Sequence, residues 1–486
     1  MTASPVAAAA PTRLLIDGAW CDARDGGTIE VRNPATDEIL ARVPNAGRVE
    51  TRAAIAAAER AFPAWRDRPA AERGAILKAW AAGMLRERER LARLMTLEQG
   101  KPLAESRVEI AYAASFLEWF GEEARRIYGE TIPASTADKR LLILPRAIGV
   151  TAAITPWNFP AAMITRKAGA ALAAGCPQIV KPSELTPLSA LALAELALEA
   201  GVPNGVFQVI TGEPAAIGAE LLEHPAIRKL SFTGSTEVGQ LLAKGSATNL
   251  TRLSLELGGH APFIVFADAD LDRAVEGAIA SKFRNAGQTC VCANRIYVEG
   301  PIAEAFTARL AQAAAALVVG DGLADGTQIG PLIEDSAVDK ALAHIDDARH
   351  RGARLLCGGG RARISGRADR FVQPTVLADA DHAMLCAREE TFGPVAPVFT
   401  FTSEAEVIER ANGTPFGLAA YFYTRDASRL MRMAEALDFG IVGANDALPA
   451  TAQAPFGGVK HSGYGKEGGR AGLEEYIVRR YVSWRL

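Results

Sequence analysis

Strand-like and helix-like segments alternate from residue 148 onward, and this alternation constrains the fold more than any other feature of the chain. Residues 148–154 and 178–181 read as buried strands, and residues 161–174 between them read as a helix. Further strands at 206–210 and 229–232 continue the pattern. Strands separated by helices in this order predict a parallel, doubly wound sheet. Ligands bind such sheets at the carboxyl ends of the strands.

The regions on either side of these strands extend the same architecture. Residues 262–266 and 295–298 read as strands and residues 271–283 as a helix, so a second alternating region is expected. Residues 49–128 carry a helical pattern that is rich in Ala, Leu, Arg and Glu. The β-like residues 476–482 have mixed polarity, which is typical of an edge strand that can pair with another subunit.

Length, charge and cysteine usage exclude several classes of protein. A chain of 486 residues is too long for one compact core, so two or three domains are expected. Its net charge of -3 argues against a nucleic-acid partner, and its six irregularly spaced cysteines favour a reduced, cytoplasmic protein. The apolar stretch 148–174 contains two prolines and the pair Arg166-Lys167, so no membrane partner is expected. Residues 1–12 are Ala-rich and uncharged, which predicts a flexible tail rather than a signal peptide.

Three separate segments carry side chains that suit one reaction. Cys290 ends the stretch Gly-Gln-Thr-Cys, Glu256 lies upstream beside two glycines, and Asn158 lies between two prolines. A thiol can trap a carbonyl carbon, an amide can stabilise the oxyanion, and a carboxylate can deliver water. The set favours a dehydrogenase that oxidises an aldehyde to an acid. Taken singly, each residue has an ordinary reading: an inert thiol, a structural Asn in a turn, and a surface charge at a strand end.

Seven motifs in order and spacing resemble those of the aldehyde dehydrogenase superfamily, from about Asp17 to the end of the chain. They lie at residues 156–160, 181–184, 232–236, 256–259, 287–290, 390–394 and 455–458. Within that family, residues 283–285 and 290–295 look most like the succinate-semialdehyde dehydrogenases. The resemblance implies an α/β fold with a Rossmann-type cofactor domain, an α/β catalytic domain and a β oligomerisation arm.

The resemblance also implies a division of the chain. The NAD-binding domain is expected at residues 1–123 and 148–256, and the catalytic domain at residues 257–444. The oligomerisation arm and carboxyl-terminal segment are expected at residues 124–147 and 445–486. By the same resemblance, the protein is expected to be a homodimer or homotetramer that acts on a small aldehyde.

Members of the family give the three candidates definite roles. Cys290 would attack the aldehyde and carry first a thiohemiacetal and then a thioester. The Asn158 side chain and the Cys290 backbone amide would stabilise the oxyanion, and Glu256 would activate the hydrolytic water. An ordinary thiol has a pKa of about 8.5, so the site is expected to favour the thiolate.

The cofactor is expected to be NAD, with NADP less favoured. The chain has no Gly-x-Gly-x-x-Gly fingerprint after a strand, so the family's other contacts are implied. Gly234 and Ser235 would open a helix toward the pyrophosphate. The Glu184 carboxylate would accept from the ribose hydroxyls and repel a 2′-phosphate, although Ser183 leaves room for some NADP use. The full implied set is Trp157, Lys181, Glu184, Phe232, Gly234, Ser235, Leu257, Glu390 and Phe392. No histidine pairs with a cysteine at a zinc-like spacing, so no metal is expected.

Substrate choice rests on two arginines. Arg166 and Arg284 match those that grip the far carboxylate in the succinate-semialdehyde enzymes, and arginine suits a carboxylate well. The chain departs from the pattern at the carboxylate-binding serine, which Ala450 replaces, and the adjacent Thr451 is a candidate substitute. Asp446 adds a negative charge near the pocket mouth. Succinate semialdehyde is therefore the first choice, and glutarate semialdehyde or an uncharged aldehyde is the alternative.

Three further alternatives stay open. Cys292 is either a redox partner of Cys290, through a disulfide of strained geometry, or a small packed residue. A cofactor-independent cysteine hydrolase could use the same thiol and base, but Lys181 and Glu390 argue against it. A non-catalytic binding protein would be expected to lack one of the three reactive residues. Cofactor-linked turnover separates these classes.

Overall fold

The computed structural model describes residues 10–486, so most of the predicted amino-terminal tail lies outside the described residues. The strands, in chain order, are β1 Leu14–Ile16, β2 Ala19–Cys21, β3 Thr28–Arg32, β4 Ile39–Pro44, β5 Glu130–Ile132, β6 Lys139–Ala147, β7 Val150–Ile154, β8 Gln178–Lys181, β9 Phe207–Val209, β10 Ile227–Thr233, β11 Arg252–Glu256, β12 Ala261–Val265, β13 Ala293–Glu299, β14 Arg354–Cys357, β15 Thr375–Ala378, β16 Val395–Phe401, β17 Ala419–Tyr423, β18 Ile441–Ala444, β19 Gly463–Tyr464 and β20 Ile477–Arg485.

The helices follow the same order. They are α1 Arg48–Asp67, α2 Ala70–Arg86, α3 Arg88–Gln99, α4 Leu103–Glu123, α5 Ala162–Ala174, α6 Pro187–Glu199, α7 Pro214–Glu223, α8 Thr236–Ser246, α9 Leu271–Phe283, α10 Ala303–Ala315, α11 Asp335–His350, α12 Leu385–Arg388, α13 Glu404–Asn412, α14 Ala427–Ala436 and α15 Gly469–Glu474. Among residues 10–486, none of these helices combines the length and the apolar character that crossing a membrane requires.

The first sheet confirms the predicted parallel, doubly wound arrangement. Its order is β19-β11-β10-β7-β8-β9-β1-β2, and the five strands from β11 to β9 in this order are mutually parallel. The chain moves outward from β7 through β8 to β9 and then returns to β10 on the other side of β7. This reversal opens a crevice at the carboxyl ends of the strands, where ligands bind such sheets. Asn158, Lys181, Gly234 and Glu256 all lie at or just beyond those ends.

The second sheet has the order β14-β15-β16-β13-β12-β17-β18, and its neighbours are parallel except for β14 and β15. The link from β11 in the first sheet to β12 in the second is short and contains Gly258 and Gly259. Cys290 lies just before β13. The reactive candidates therefore lie where the two sheets meet.

A third sheet extends from the body of the chain. Its order is β20-β6-β5, and β20 pairs antiparallel with β6 from Ile477 opposite Ala147 to Arg485 opposite Lys139. The mixed polarity that predicted an edge strand at the carboxyl terminus fits this place, since the outer side of β20 has no neighbouring strand within residues 10–486. Tyr481 and Trp484 on this strand are exposed.

Helix α5 shows how the sequence brings charged side chains into the interior. All thirteen of its residues are buried, because it packs between the first sheet and helices α2 and α4. A helix surrounded on all sides is apolar over most of its circumference, and six of the thirteen residues of this one are alanine. Arg166 and Lys167 are the exceptions, so each needs a partner within the core.

Candidate active site

The loop that carries Cys290 is held in an unusual backbone conformation. Asn285, Ala286 and Gly287 have φ values of 51°, 54° and 78°, in the left-handed region. A Cβ on Gly287 would lie 2.2 Å from the Gly393 carbonyl oxygen, so the close approach also requires glycine there. Backbone strain of this kind persists only where the surroundings hold it, and it clusters at active sites.

The Cys290 thiol is half-buried and lies among charged groups of both signs. Burial raises the pKa of this thiol to about 12, with Glu390 and Glu256 adding to the rise and Arg166 and Arg284 opposing it. The thiol is therefore protonated at neutral pH in this state. This shift runs opposite to the expected preference for the thiolate, because burial is its largest cause and the two guanidinium groups offset it only in part.

Asn158 lies against the loop that precedes Cys290. Its side-chain Nδ2 donates to the Gln288 carbonyl at 3.0 Å, and one of the two amide hydrogens stays free for another acceptor. Its backbone carbonyl accepts from Lys101 Nζ at 2.7 Å and from Asn285 Nδ2 at 3.1 Å. Hydrogen bonds at its side chain and at its backbone carbonyl therefore hold Asn158 beside the reactive loop.

Glu256 ends β11 and is 1% exposed. Within residues 10–486, neither of its carboxylate oxygens has a hydrogen-bond partner. Burial raises its pKa well above the usual range; Glu467 adds to that rise, and Arg166 and Lys167 oppose it. A Cβ on Gly457 would lie 2.7 Å from Glu256 Oε1, so the carboxyl group occupies space that only glycine leaves open. Such an orphaned acceptor can take up a water molecule.

Arg166 joins a buried ion cluster. Its Nε donates to Glu467 Oε2 at 2.6 Å, and its guanidinium carbon lies 4.1 Å from the centre of the Phe456 ring. Its Nη1 has no hydrogen-bond partner among the described residues. Lys167 contacts the other oxygen of Glu467 at 2.7 Å. The Arg166 guanidinium and the Lys167 amine therefore share one carboxylate, and burial lowers the pKa of Lys167.

Arg284 has no ion-pair partner among the described residues, and its charge lowers the pKa of the Cys290 thiol. Its Nε is buried and unpaired within residues 10–486, and its guanidinium carbon lies 5.4 Å from the Phe159 ring centre. Both arginines lower the pKa of the Cys290 thiol, which places both charges within reach of the sulfur. The structure brings these two sequence-predicted residues together with the nucleophile.

Tyr112 is a pocket residue that sequence reasoning missed. Burial raises the pKa of its phenol, and the nearby positive charges of Arg166 and Arg284 oppose that rise. It lies in the middle of α4, a helix without any of the seven motifs, and only its contacts with both arginines mark it. A hydroxyl at this place can donate to an anion that the two guanidinium groups bind.

Thr451 is the expected substitute for the missing serine, but among the described residues no hydrogen bond joins its side chain to Arg166 or Arg284. It is exposed, and its hydroxyl donates to the side chain of Gln453. Asp446 is also exposed, and it lines a separate cavity of about 260 Å³ with Arg273, Glu276 and Tyr423.

Cys292 points to the core, where its sulfur accepts from Lys282 Nζ at 3.4 Å, and both Cys290 and Cys292 are free thiols.

The residues expected to bind the adenosine end lie at the strand ends of the first sheet. Lys181 Nζ is 2.8 Å from Glu184 Oε2. Burial raises the pKa of Glu184, but Lys181 outweighs it and the net pKa is lowered, so the carboxylate is ionised at neutral pH. Ser235 caps α8 by accepting from the Val238 amide at 3.3 Å. A Cβ on Gly234 would lie 2.4 Å from the Phe232 ring, so glycine opens the backbone beside this helix terminus.

The residues expected at the nicotinamide end lie between the two sheets. Glu390 Oε1 accepts from the Gly259 amide at 3.0 Å, and burial raises the pKa of Glu390 to about 7. The rings of Trp157 and Phe392 meet edge to face at 5.7 Å. Leu257 is buried, and a Cβ on Gly239 of α8 would lie 2.4 Å from its side chain. An open helix terminus at one end and an aromatic, carboxylate-lined cleft at the other fit a dinucleotide.

Comparison with known proteins agrees with this geometry. The sequence profile described as the aldehyde dehydrogenase family matches residues 20–482. The chain is 58% identical over 468 residues, 96% of each protein, to a succinate-semialdehyde dehydrogenase (NADP+) of Escherichia coli. It is 57% identical over 467 residues, 96% of each protein, to a glutarate-semialdehyde dehydrogenase of Pseudomonas putida. A crystal structure of succinate-semialdehyde dehydrogenase from Burkholderia pseudomallei superposes with a TM-score of 0.97 at 52% identity and covers 99% of both chains.

Proposed function

Because the chain belongs to the aldehyde dehydrogenase family, we propose that it oxidises succinate semialdehyde to succinate through a thioester on Cys290. The observation that carries the substrate class is the pair of guanidinium groups, Arg166 and Arg284, whose charges both act on the Cys290 thiol. Each has a buried nitrogen without a partner among the described residues. A carboxylate at the far end of the aldehyde would satisfy both, and hydrogen bonds to charged groups contribute roughly 1.5–3 kcal/mol each.

Glutarate semialdehyde, one carbon longer, is the second candidate substrate. Ala450 takes the place where related enzymes carry a serine, and the Thr451 hydroxyl is bonded to Gln453 instead. A smaller side chain leaves more room at the anchoring end. A relative that is 57% identical over nearly its whole length carries the name of this activity.

The first half of the reaction needs a nucleophile and a place for negative charge. The partly exposed Cys290 thiol gives its proton to solvent water as its sulfur bonds to the aldehyde carbon, and the carbonyl oxygen becomes an oxyanion. The free amide hydrogen of Asn158 and the Cys290 backbone amide stabilise that oxyanion, and removal of one such donor typically raises the barrier by about 2.7–4 kcal/mol. When bound, NAD or NADP supplies the acceptor for the hydride.

The second half of the reaction is hydrolysis of the thioester. Glu256 takes a proton from a water molecule, the water oxygen bonds to the acyl carbon, and the carbon–sulfur bond breaks to release the acid and the thiol. A raised pKa makes a carboxylate a stronger base than an exposed glutamate, and Glu256 has that property. Its lack of other partners within residues 10–486 leaves both oxygens available to water.

The cofactor preference we propose is NAD over NADP. The ionised Glu184 carboxylate would accept from the ribose hydroxyls and repel a 2′-phosphate. The relative that is 58% identical is named for NADP. The NAD preference proposed for this chain therefore rests on Glu184 and not on that relative. Glu184→Gln is expected to raise kcat/KM for NADP relative to NAD by about tenfold, in line with a charge interaction of roughly 1.4 kcal/mol. If the natural protein and Glu184→Gln had the same ratio of kcat/KM for NADP to kcat/KM for NAD, the assignment would be contradicted.

The sheets support the domain division and the assembly that we propose. The first sheet is built mainly from residues before 257 and fits a cofactor domain, and the second, from 261 to 444, fits a catalytic domain. The exposed aromatic residues on the outer strand β20 support a homodimer or homotetramer that pairs through the third sheet. All six cysteines are free, which supports a reducing, cytoplasmic location.

The test is NADH absorbance with purified protein, NAD and four aldehydes: succinate semialdehyde, glutarate semialdehyde, hexanal and benzaldehyde. A Cys290→Ala variant is the blank. The highest kcat/KM is expected for succinate semialdehyde. A preference for glutarate semialdehyde would move the assignment to the second candidate, and a preference for hexanal or benzaldehyde would overturn the acidic substrate class.

A further inference from the structure

Lys101, in the turn between α3 and α4, and Glu109, in α4, are two buried side chains of opposite charge that the chemistry above does not use. Lys101 is 1% exposed and Glu109 is 3% exposed, and they form an ion pair with each other. Burying such a pair carries a desolvation penalty that its mutual attraction often fails to offset, so a buried ion pair is weak evidence for a purely stabilising role. The contacts that the pair makes with other groups therefore decide its function.

Both members of the pair bind the segment that carries Asn158. Lys101 Nζ donates to the Asn158 carbonyl oxygen at 2.7 Å and lies 4.0 Å from the centre of the Phe159 ring. Glu109 Oε1 accepts from the Ala161 amide at 3.0 Å and from the Ala162 amide at 3.3 Å, at the start of α5. The two side chains thus hold the backbone at the two ends of residues 158–162.

The orientation of the Asn158 amide depends on this backbone. The Asn158 carbonyl accepts from Lys101 and from Asn285, which uses both of its lone pairs. The Asn158 side chain in turn donates to Gln288, two positions before Cys290. Without the Lys101 contact the Asn158 backbone is less restrained, and a shift of its Cα would move the side-chain amide relative to the loop that bears the thiol.

We propose that Lys101 and Glu109 are positioning residues that orient the Asn158 amide toward the oxyanion of the thiohemiacetal. The inference rests on the proposed function of Asn158 and goes beyond it, since neither residue touches the reacting atoms. A displacement of about 1 Å in a catalytic group can lower a rate by about 100-fold, so a modest shift of this backbone is sufficient for a large effect.

The test is a double-mutant cycle that measures NADH formation in a single turnover. Lys101→Met is made in the natural protein and in an Asn158→Ala background. With Asn158 present, the substitution is expected to slow NADH formation about 10- to 100-fold. In the Asn158→Ala background it is expected to slow the reaction less than about 3-fold, because the group that Lys101 positions is already gone.

Two matched measurements separate positioning from general damage. Lys78→Met removes the exposed ion pair between α2 and α4, where Lys78 is 41% and Glu122 is 46% exposed, and is expected to leave NADH formation unchanged. Alkylation of Cys290 by iodoacetamide needs no oxyanion donor, and its rate in Lys101→Met is expected to stay within about 2-fold of the natural protein. Glu109→Gln, which keeps an oxygen acceptor for the Ala161 amide, is measured in the same cycle and is expected to show the same dependence on Asn158.

Equal losses in both backgrounds, for Lys101→Met or for Glu109→Gln, would overturn the inference and leave the pair a structural one. Failure of the proposed function would look different. The natural protein would then form no Cys290-dependent NADH with any of the aldehydes, before any variant is compared.

Discussion

Glu256 and Glu467 are both buried glutamates beside the same two cations, yet their carboxyl groups behave in opposite ways. Burial alone would raise the pKa of Glu467, but Lys167 and Arg166 outweigh it and lower that pKa to about 2. Glu467 accepts from Arg166, Lys167 and Ser231. Glu256 has no hydrogen-bond partner within the described residues, and its pKa is raised.

This difference shows that one pocket can hold two buried glutamates whose carboxyl groups have pKa values shifted in opposite directions. At the anchoring end, direct hydrogen bonds and ion pairs keep the Glu467 carboxylate ionised. At the reacting end, Glu256 has no such partner within the described residues and its pKa is raised, which suits the base proposed for thioester hydrolysis. Burial does not decide the protonation state by itself; the presence or absence of a donor within about 3 Å does.

Of the variants that test this comparison, Glu256→Gln is expected to have the largest effect on activity. Replacement of the base is expected to lower steady-state kcat by about 100- to 10,000-fold, because thioester hydrolysis loses its general base. A burst of NADH, close to one per active site, should remain, since the first half of the reaction does not use this carboxylate. Rapid-mixing absorbance measures both phases. Loss of the burst together with the steady-state rate would assign Glu256 to the first half-reaction instead.

Glu467→Gln should act mainly on stability rather than on one chemical step. Removal of the carboxylate leaves Arg166 and Lys167 buried without an anion, which is expected to lower the free energy of unfolding by about 3–5 kcal/mol. Urea unfolding monitored by fluorescence gives the value. The matched control is Glu256→Gln, which removes no ion pair and is expected to change stability by less than about 1 kcal/mol. Similar changes in the two variants would erase the distinction between the two glutamates.

Arg284→Met tests the positive end of the pocket without disturbing the Glu467 cluster. Arg284 has no ion pair among the described residues, so its loss should act on the substrate rather than on folding. Its kcat/KM for succinate semialdehyde is expected to fall about 10- to 100-fold, in line with about 1.5–3 kcal/mol for hydrogen bonds to a charged group. For hexanal the change is expected to stay below about 3-fold. Equal losses for both aldehydes would show that Arg284 does not bind the carboxylate.

The pKa values of the two glutamates are shifted in opposite directions, so the two groups titrate in different pH ranges. The pKa of Glu256 is raised, so the base is ionised only at higher pH, and the steady-state rate is expected to rise with pH through the pKa of this group. The folded-state pKa of Glu467 is lowered to about 2, so its contribution to stability is present above its unfolded pKa and is lost as pH falls toward 2. A pH–rate profile checks the first and acid unfolding the second. Glu256→Gln should flatten the profile; an unaltered profile would assign the dependence to another group.

Much of the fold could be predicted because its causes are local. The alternation of strands and helices after residue 148 predicted the parallel sheet, and β7, β8 and α5 lie within a residue or two of the expected bounds. The reactive candidates could be found for the same reason, since Cys290, Glu256 and Asn158 each stand in a short motif. Tyr112 and the Lys101–Glu109 pair stand in ordinary helical sequence, and they were missed because their partners lie far along the chain.

The sequence by itself therefore determined the layered α/β architecture, the family and the residues that can react, since periodicity and short motifs are read within a few positions. Only the tertiary structure decided which of two buried glutamates has a raised pKa and which a lowered one. The partners responsible come from distant segments: Arg166 reaches Glu467 across 301 positions, and Lys101 reaches Asn158 across 57. Charge in a protein interior depends on such contacts at hydrogen-bonding distance, and chain folding alone creates them.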